Sequence, residues 1–339
     1  MPLPHRNPAP ILAESMKSLA IAALALVLAA PTPQARAADP VWPPKIVKII
    51  VPYAPGSTPD LVGRIIADDL QVRHPGANFI VENKPGAGGN IGTDAVAKAA
   101  PDGGTIGISL GGPLAINTLL FSKLPYDPAK DIAPITMLTS LPSVLVVPAS
   151  LNINSVAEFI AALKRDGAKL AFGSIGAGSL SHLTMEAVAQ RAGTTMVHIP
   201  YGGSPQAITA VIRGDVQAAC LPAIAVTPQL ASGKVKILAV ATAQRSRFLP
   251  DVPTLKESGI DVESDAWNAL VAPAGTPSAI ITQVNDEVND ILTKPSVRER
   301  LETQLMEPIP STPQILRARM DAEIRLWSDV IKRGDIRIN

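Results

Sequence analysis

An α/β protein of two lobes is what this sequence predicts, on three observations. Short β-branched runs alternate with longer helical patterns, the arrangement that yields parallel strands joined by crossover helices. The alternation pauses after about residue 109 and resumes with a second series near residue 144. The 302 residues that remain after a predicted leader (339 − 37) exceed what one hydrophobic core usually accommodates.

The first series places strands at 45–51, 78–82 and 105–109, with helices at 60–72 and 91–99 between them. The second places a strand at 144–147, a helix at 156–164, a strand at 170–173 and a helix at 183–192. It continues with a strand at 196–199, a helix at 205–213 and strands at 217–221 and 237–241. A strand at 266–271 then precedes three helices, at 277–292, 297–304 and 313–332. The 33 prolines and 24 glycines are dispersed, so they punctuate short elements rather than form low-complexity tracts.

Four helix starts carry a hydroxyl followed by proline: Thr58-Pro59, Ser204-Pro205, Thr276-Pro277 and Thr312-Pro313. The hydroxyl is expected to accept from an orphan first-turn amide, and proline needs no partner there. Ser155 with Glu158 reads as a capping box. Segments 141–150 and 260–273, each a strand bounded by Pro or Gly, are read as two crossings between lobes. The expected organisation is therefore 1–37 signal peptide, 38–143 with 265–339 as a discontinuous first lobe, and 144–264 as the second. Two crossings let one lobe rock against the other and close a cleft.

The leader is read from Lys17, the apolar stretch 19–30, too short to span a bilayer, and the small-x-small signal Ala35-Arg36-Ala37. Cleavage near Ala37 and export to a periplasm are expected, with either Met1 or Met16 as the start. Removing 1–37 takes away Arg6, Lys17, Arg36 and Glu14, which leaves 27 basic against 28 acidic residues and no excess of positive charge. Nucleic acid is excluded as a partner, because phosphate contacts need clustered Lys and Arg. The single Cys220 lies in an apolar run and is read as a small buried hydrophobe.

Three loops between strand ends and helix starts are rich in Gly and hydroxyl residues: 55–60, 86–92 and 173–182. Free amides at a helix N-terminus bind anions without a cationic side chain, and glycine lets the backbone approach closely. Ligands of open α/β sheets sit at the carboxyl ends of strands, so a small anion between the lobes is expected. Gly86-x-Gly88 and Gly176-x-Gly178 begin a dinucleotide fingerprint but have Ile91 and Ser181 where the third glycine belongs. No Walker sequence, H-E-x-x-H or Cys-x-x-Cys occurs. His74, His182 and His198 stand apart in sequence, against a metal site, and no cofactor is expected.

His182, three positions after Ser179, is read either as bonding the loop backbone or as lining the cleft. Tyr201, at a strand end before Gly202-Gly203, is read as facing the cleft, while Tyr53 could serve the cleft or the first-lobe core. Asp60 is read as holding its own helix start or the loop before it.

Several stretches carry a resemblance. They are Val51-Pro52-Tyr53-Ala54-Pro55-Gly56, Val81-Glu82-Asn83-Lys84-Pro85-Gly86-Ala87-Gly88-Gly89-Asn90-Ile91-Gly92, Pro101-Asp102-Gly103, Leu124-Pro125-Tyr126-Asp127, His198-Ile199-Pro200-Tyr201 and Leu249-Pro250-Asp251-Val252-Pro253-Thr254. Together they resemble the substrate-binding receptors of the tripartite tricarboxylate transporter system, the Bug receptors. The resemblance implies a two-lobed periplasmic-binding-protein (Venus-flytrap) fold, each lobe a mixed or parallel sheet flanked by helices. It also implies no catalysis, a small carboxylate ligand, membrane permease subunits as partners and a monomer.

Ligand contacts are expected from Tyr53, Pro55, Gly56, Ser57, Thr58, Gly88 and Asn90 in the first lobe. Ser174, Ile175, Gly178, Ser179, His182, Tyr201 and Gly202 are their expected counterparts in the second. The chain departs from the family pattern at Ser57, Gly104, Gly202 and Leu221, where family members commonly have Gly, Tyr, Lys and, in amino-acid binders, Asp. Two rival readings stand beside the receptor: an exported hydrolase using Ser179 with His182, and a sensor that presents its closed form to a membrane kinase.

Overall fold

The computed structural model describes Met1 and residues 42–338. The predicted signal peptide, its cleavage point and the second candidate start, Met16, lie outside the described residues. Strands β1 (Ile46–Val51), β2 (Asn78–Asn83) and β3 (Thr105–Leu110) are linked by helices α1 (Thr58–Arg73) and α2 (Asn90–Ala97). After β3 the chain makes a wide π-helical turn, Gly112–Ile116, and two short helices, α3 (Asn117–Leu120) and α4 (Pro128–Asp131). It then enters β4 (Ile132–Pro148), the longest strand.

The second series is α5 (Val156–Asp166), β5 (Ala171–Ser174), α6 (Leu180–Arg191), β6 (Val197–Pro200), α7 (Ser204–Arg213), β7 (Ala218–Pro222), α8 (Ala223–Leu230) and β8 (Val235–Val240). The chain returns through β9 (Asp265–Pro273) to α9 (Ser278–Thr293), α10 (Pro295–Glu302), β10 (Glu307–Pro308) and α11 (Pro313–Arg333).

Among the described residues ten strands form one mixed sheet in the order β2-β1-β3-β9-β4-β7-β5-β6, with β8 and β10 pairing with β4 off that path. Pairing is parallel within β1–β3 and among β5–β7, as alternating βα units require. The strands that join the halves are antiparallel: β9 pairs with β3 and with β4, and β4 pairs with β7 and β8. The halves therefore meet through β4 and β9.

Burial follows the two-residue period of a strand. Leu145 and Val147 of β4 point into a core with Phe159, Phe172 and Leu183, while Val144 and Val146 point into the opposite core with Val211, Leu221 and Val240. A strand buried on both faces reads as an unbroken apolar run. The first half has its own core around Ile49, Ile65, Ile106, Leu270 and Val288. The final helix spans both halves. Leu316 and Met320 pack beside Trp267 and Leu114, whereas Trp327, Val330 and Ile331 join the core of Phe172 and Leu183. Cys220 is buried as expected, and burial pushes its thiol up to about 12.

The expected caps are only partly realised. Thr312 accepts from Ile315 N, and Ser155 from Glu158 N. Glu158 reaches back to Asn154 N, one residue outside the usual box. Thr58 and Ser204 are instead the first residues inside their helices, behind Ser57 and Gly203, and neither start carries a side-chain cap bond. Thr276 lies ahead of the N-cap Pro277 and donates to Pro273 O at 2.8 Å, closing the turn before the helix. A hydroxyl before proline locates the start but leaves its register open by one residue either way.

Candidate functional site

Strand ends and helix starts from both halves enclose a cavity of about 600 Å³. From the first half come Tyr53 after β1, Ala87 and Gly88 before α2, and Leu110, Gly111 and Gly112 at the end of β3. The loop between β5 and α6, Ile175 to Leu180, faces them from the second half. The remaining wall comes from Asp265, Ala266 and Trp267 on β9, Glu323 on α11, and Ile116, Asn117, Phe121 and Ile338.

The β5–α6 loop is held open by its own polar groups. Ser179 caps α6, accepting from His182 N at 3.3 Å, while its Oγ donates to Gly176 O at 2.6 Å. Gly178 N donates to His182 Nδ1 at 3.0 Å, which makes Nδ1 an acceptor and places the proton of a neutral ring on Nε2. The ring of His182 stacks on His198 at 3.6 Å between centroids, and His198 stacks in turn on Phe172 at 5.0 Å. His198 Nε2 lies 2.7 Å from the buried Ser174 Oγ, and Gly176 N donates to that same oxygen. Burial, with His182 alongside and Glu186 opposing, lowers His198 to about 4. Behind this clamp the amides of Leu180 and Ser181, the first two of α6, have no intrahelical acceptor.

Of the residues expected from sequence, Tyr53, Gly88, Ile175, Gly178 and Ser179 lie together on the cavity wall. Tyr53 Oη donates to Gly88 O at 3.1 Å, and burial raises its phenol above the ordinary value. Ser174 and His182 stand just behind the β5–α6 loop and support it. Asn90 is buried, and its Oδ1 accepts from Asn117 Nδ2 at 2.7 Å and Tyr126 Oη at 3.1 Å, so it ties the first-half loops to one another.

Pro55, Gly56, Ser57 and Thr58 form the turn into α1, outside the cavity wall. Asp60 holds this turn, accepting from Gly56 N at 2.8 Å, Arg64 Nε at 3.0 Å and Asn83 Nδ2 at 2.9 Å. Burial would raise its carboxyl, but these donors outweigh burial and hold it low. Ser57 Oγ is buried and has no partner among the described residues. Tyr201 faces a separate depression of about 490 Å³, lined with Pro205, Gln206, Thr209, Ala210, Arg213 and Asp215. Gly202 is exposed beside it.

Sequence reasoning missed the acidic part of the wall. Arg319 Nη2 reaches Asp265 Oδ1 at 2.5 Å and Glu323 Oε1 at 2.9 Å, and Trp267 Nε1 donates to Glu323 Oε1 at 3.2 Å. Trp327 Nε1 donates to the other Glu323 oxygen. Burial raises Glu323 above the ordinary carboxylate range, with Arg319 and the two indoles opposing. Among the described residues no group of three or more His, Cys, Asp or Glu is placed to hold a metal, and no helix is long and apolar enough to cross a membrane.

Residues 62–336 match the family described as tripartite tricarboxylate transporter family receptor, TctC. Protein BugT of Bordetella pertussis is 35% identical over 293 residues, which cover 86% of this chain and 90% of that protein. Among solved structures, R. palustris Rpa4515 with adipate superposes with a TM-score of 0.75 at 34% identity, covering 88% of this chain and 99% of that one. MatC from Rhodopseudomonas palustris, with bound malate, superposes with a TM-score of 0.70 at 31% identity, covering 86% and 100%.

Proposed function

Because the chain belongs to the tripartite tricarboxylate transporter receptor family, we propose that it captures a small carboxylate in the cavity between its two halves and delivers it to the membrane permease of a tripartite transporter. The chain has the mixed α/β fold of periplasmic binding proteins, and its relatives are binding receptors rather than enzymes. Relatives with adipate and with malate bound support a carboxylate as ligand. Location in a periplasm accords with these relatives and with the leader read in residues 1–37.

The observation that carries the proposal is the enclosure of one cavity by backbone-rich loops from both halves, Gly88 and Gly111-Gly112 on one side and Gly176 to Ser179 on the other. Amides at the start of α6 donate to a carboxylate without a cation, aided by the positive end of the helix dipole. A ligand that bonds both halves at once stabilises the closed form, because only differential affinity shifts such an equilibrium. The two halves pivot, on this proposal, where β4 and β9 pass between them, near Pro142-Ser143 and Ser264-Asp265. Ser179 and His182 hold a loop in shape, and no hydrolytic role is needed to account for them.

Calorimetric titration of the purified protein with small carboxylic acids and their matched primary amides tests this. Saturable binding of at least one acid, with its amide at least tenfold weaker, is the expected outcome. Equal binding of acid and amide would remove the carboxylate from the recognition.

A further inference from the structure

Resting on the carboxylate-receptor reading above, we infer that the cavity selects an acid carrying one carboxylate on a bulky, uncharged apolar body, and discriminates against diacids. Six hydrocarbon side chains line the cavity, Ile175 and Leu180 beside the amides and Leu110, Ile116, Phe121 and Ile338 on the other segments. A cavity of about 600 Å³ with such walls gains from an apolar body that displaces its water, and a short polar chain leaves much of that wall wet.

Charge points the same way. Among the described residues no Lys or Arg lines the cavity, and its two charged lining side chains are the acids Asp265 and Glu323. Arg319 is the cation that neutralises them in part, and it is spoken for: it pairs with Asp265 at 2.5 Å, Glu323 at 2.9 Å and Glu263 at 3.6 Å. Both acids are also fixed. Asp265 takes Ser140 Oγ on its other oxygen, and the two oxygens of Glu323 take both indole N–H groups as well as Arg319. Neither can swing away, so a second ligand carboxylate in this cavity would meet like charge with no free cation to pair with it.

Phe121 and Ile338 form one end of the hydrocarbon wall. They are joined as a parallel bridge, with Ile338 N donating to Leu120 O at 3.1 Å, and the Ile338 side chain lies against Gly178 on the opposite loop. This end is therefore set by the first-half segment after β3, the C-terminal segment and the β5–α6 loop together. Its position fixes the length of body that fits.

Titration of the intact protein with hexanoate, adipate, 3-phenylpropanoate and hexanamide tests the inference. The expected result is hexanoate at least tenfold tighter than adipate, 3-phenylpropanoate at least as tight as hexanoate, and hexanamide at least tenfold weaker than hexanoate. Adipate equal to or tighter than hexanoate overturns the selectivity and leaves the carboxylate receptor standing. Hexanamide equal to hexanoate, or no acid binding, overturns the receptor reading and the inference with it.

Two variants place the effect. Asp265→Asn is expected to narrow the hexanoate-to-adipate ratio at least threefold. Phe121→Ala, at the cavity edge, is expected to weaken 3-phenylpropanoate about fivefold and hexanoate less. An unchanged ratio in a folded Asp265→Asn protein, or equal losses for both acids in Phe121→Ala, would contradict the assigned roles.

Discussion

Gly178 shows how a single atom bears on the cavity. Its φ is +72°, and a Cβ there would stand 2.2 Å from Ile338 Cδ1 and 3.0 Å from Leu120 Cδ1. Gly178→Ala therefore incurs about 1–2 kcal/mol for the left-handed backbone, and it also pushes Ile338. The expected outcome is a lower melting temperature together with ligand affinity reduced at least tenfold, checked by thermal unfolding and titration on the same preparation.

His198 provides a pH signature. Its folded value of about 4 lies below the roughly 6.5 of an unperturbed histidine. A depressed value means that the unfolded chain takes up the proton first, so the contribution is complete above about pH 6.5 and is lost as pH falls toward 4. Melting temperature is expected to fall across that window, and His198→Gln is expected to flatten part of the slope. An identical slope in the variant would show that the stacked pair with His182 does not govern it.

Gly88, Gly178 and Ser179 were legible as cavity residues because glycine and hydroxyl residues cluster at the strand-to-helix junctions where α/β sheets hold ligands, whereas Tyr53, at a strand end, read equally as cleft or core. Asp265, Glu323 and Ile338 were not. They come from a strand start, mid-helix and a C-terminal segment, each ordinary in its local context, and only the tertiary fold brings them to one wall.

At the scale of elements, α11 joins the halves, and Glu323 is its polar anchor. Removing that carboxylate leaves two indole N–H groups and Arg319 without their shared acceptor inside the protein. Glu323→Ala is expected to destabilise the fold by about 3–5 kcal/mol, with Glu323→Gln milder because it keeps an acceptor oxygen. Denaturant unfolding of both variants checks this.

Most strands and helices were legible from periodicity to within a few residues. β4 was not: the sequence places strand at 144–147, within a crossing read at 141–150, and misses the first nine residues of Ile132–Pro148. Prolines at 134, 142 and 148 argue against a continuous strand. The fold accommodates the first of them at a register shift, since pairing with β9 slips between Pro134 and Thr136. The π-helical turn at Gly112–Ile116, which supplies cavity residues, carries no periodic signal because it is a single turn.

For the molecule as a whole, β4, β9 and α11 are the elements shared by the two halves, and the loops that face each other across the cavity belong to neither alone. Capture between the halves predicts that one ligand orders both sides. Hydrogen exchange followed by mass spectrometry, with and without a saturating acid identified by titration, reads both sides in a single experiment. Slowed exchange in the segment around Gly88 to Gly112 and also in the β5–α6 loop, Ile175 to Leu180, is the predicted result. Slowing confined to one of these segments, or centred instead on the depression beside Tyr201 and Arg213, would contradict capture between the halves.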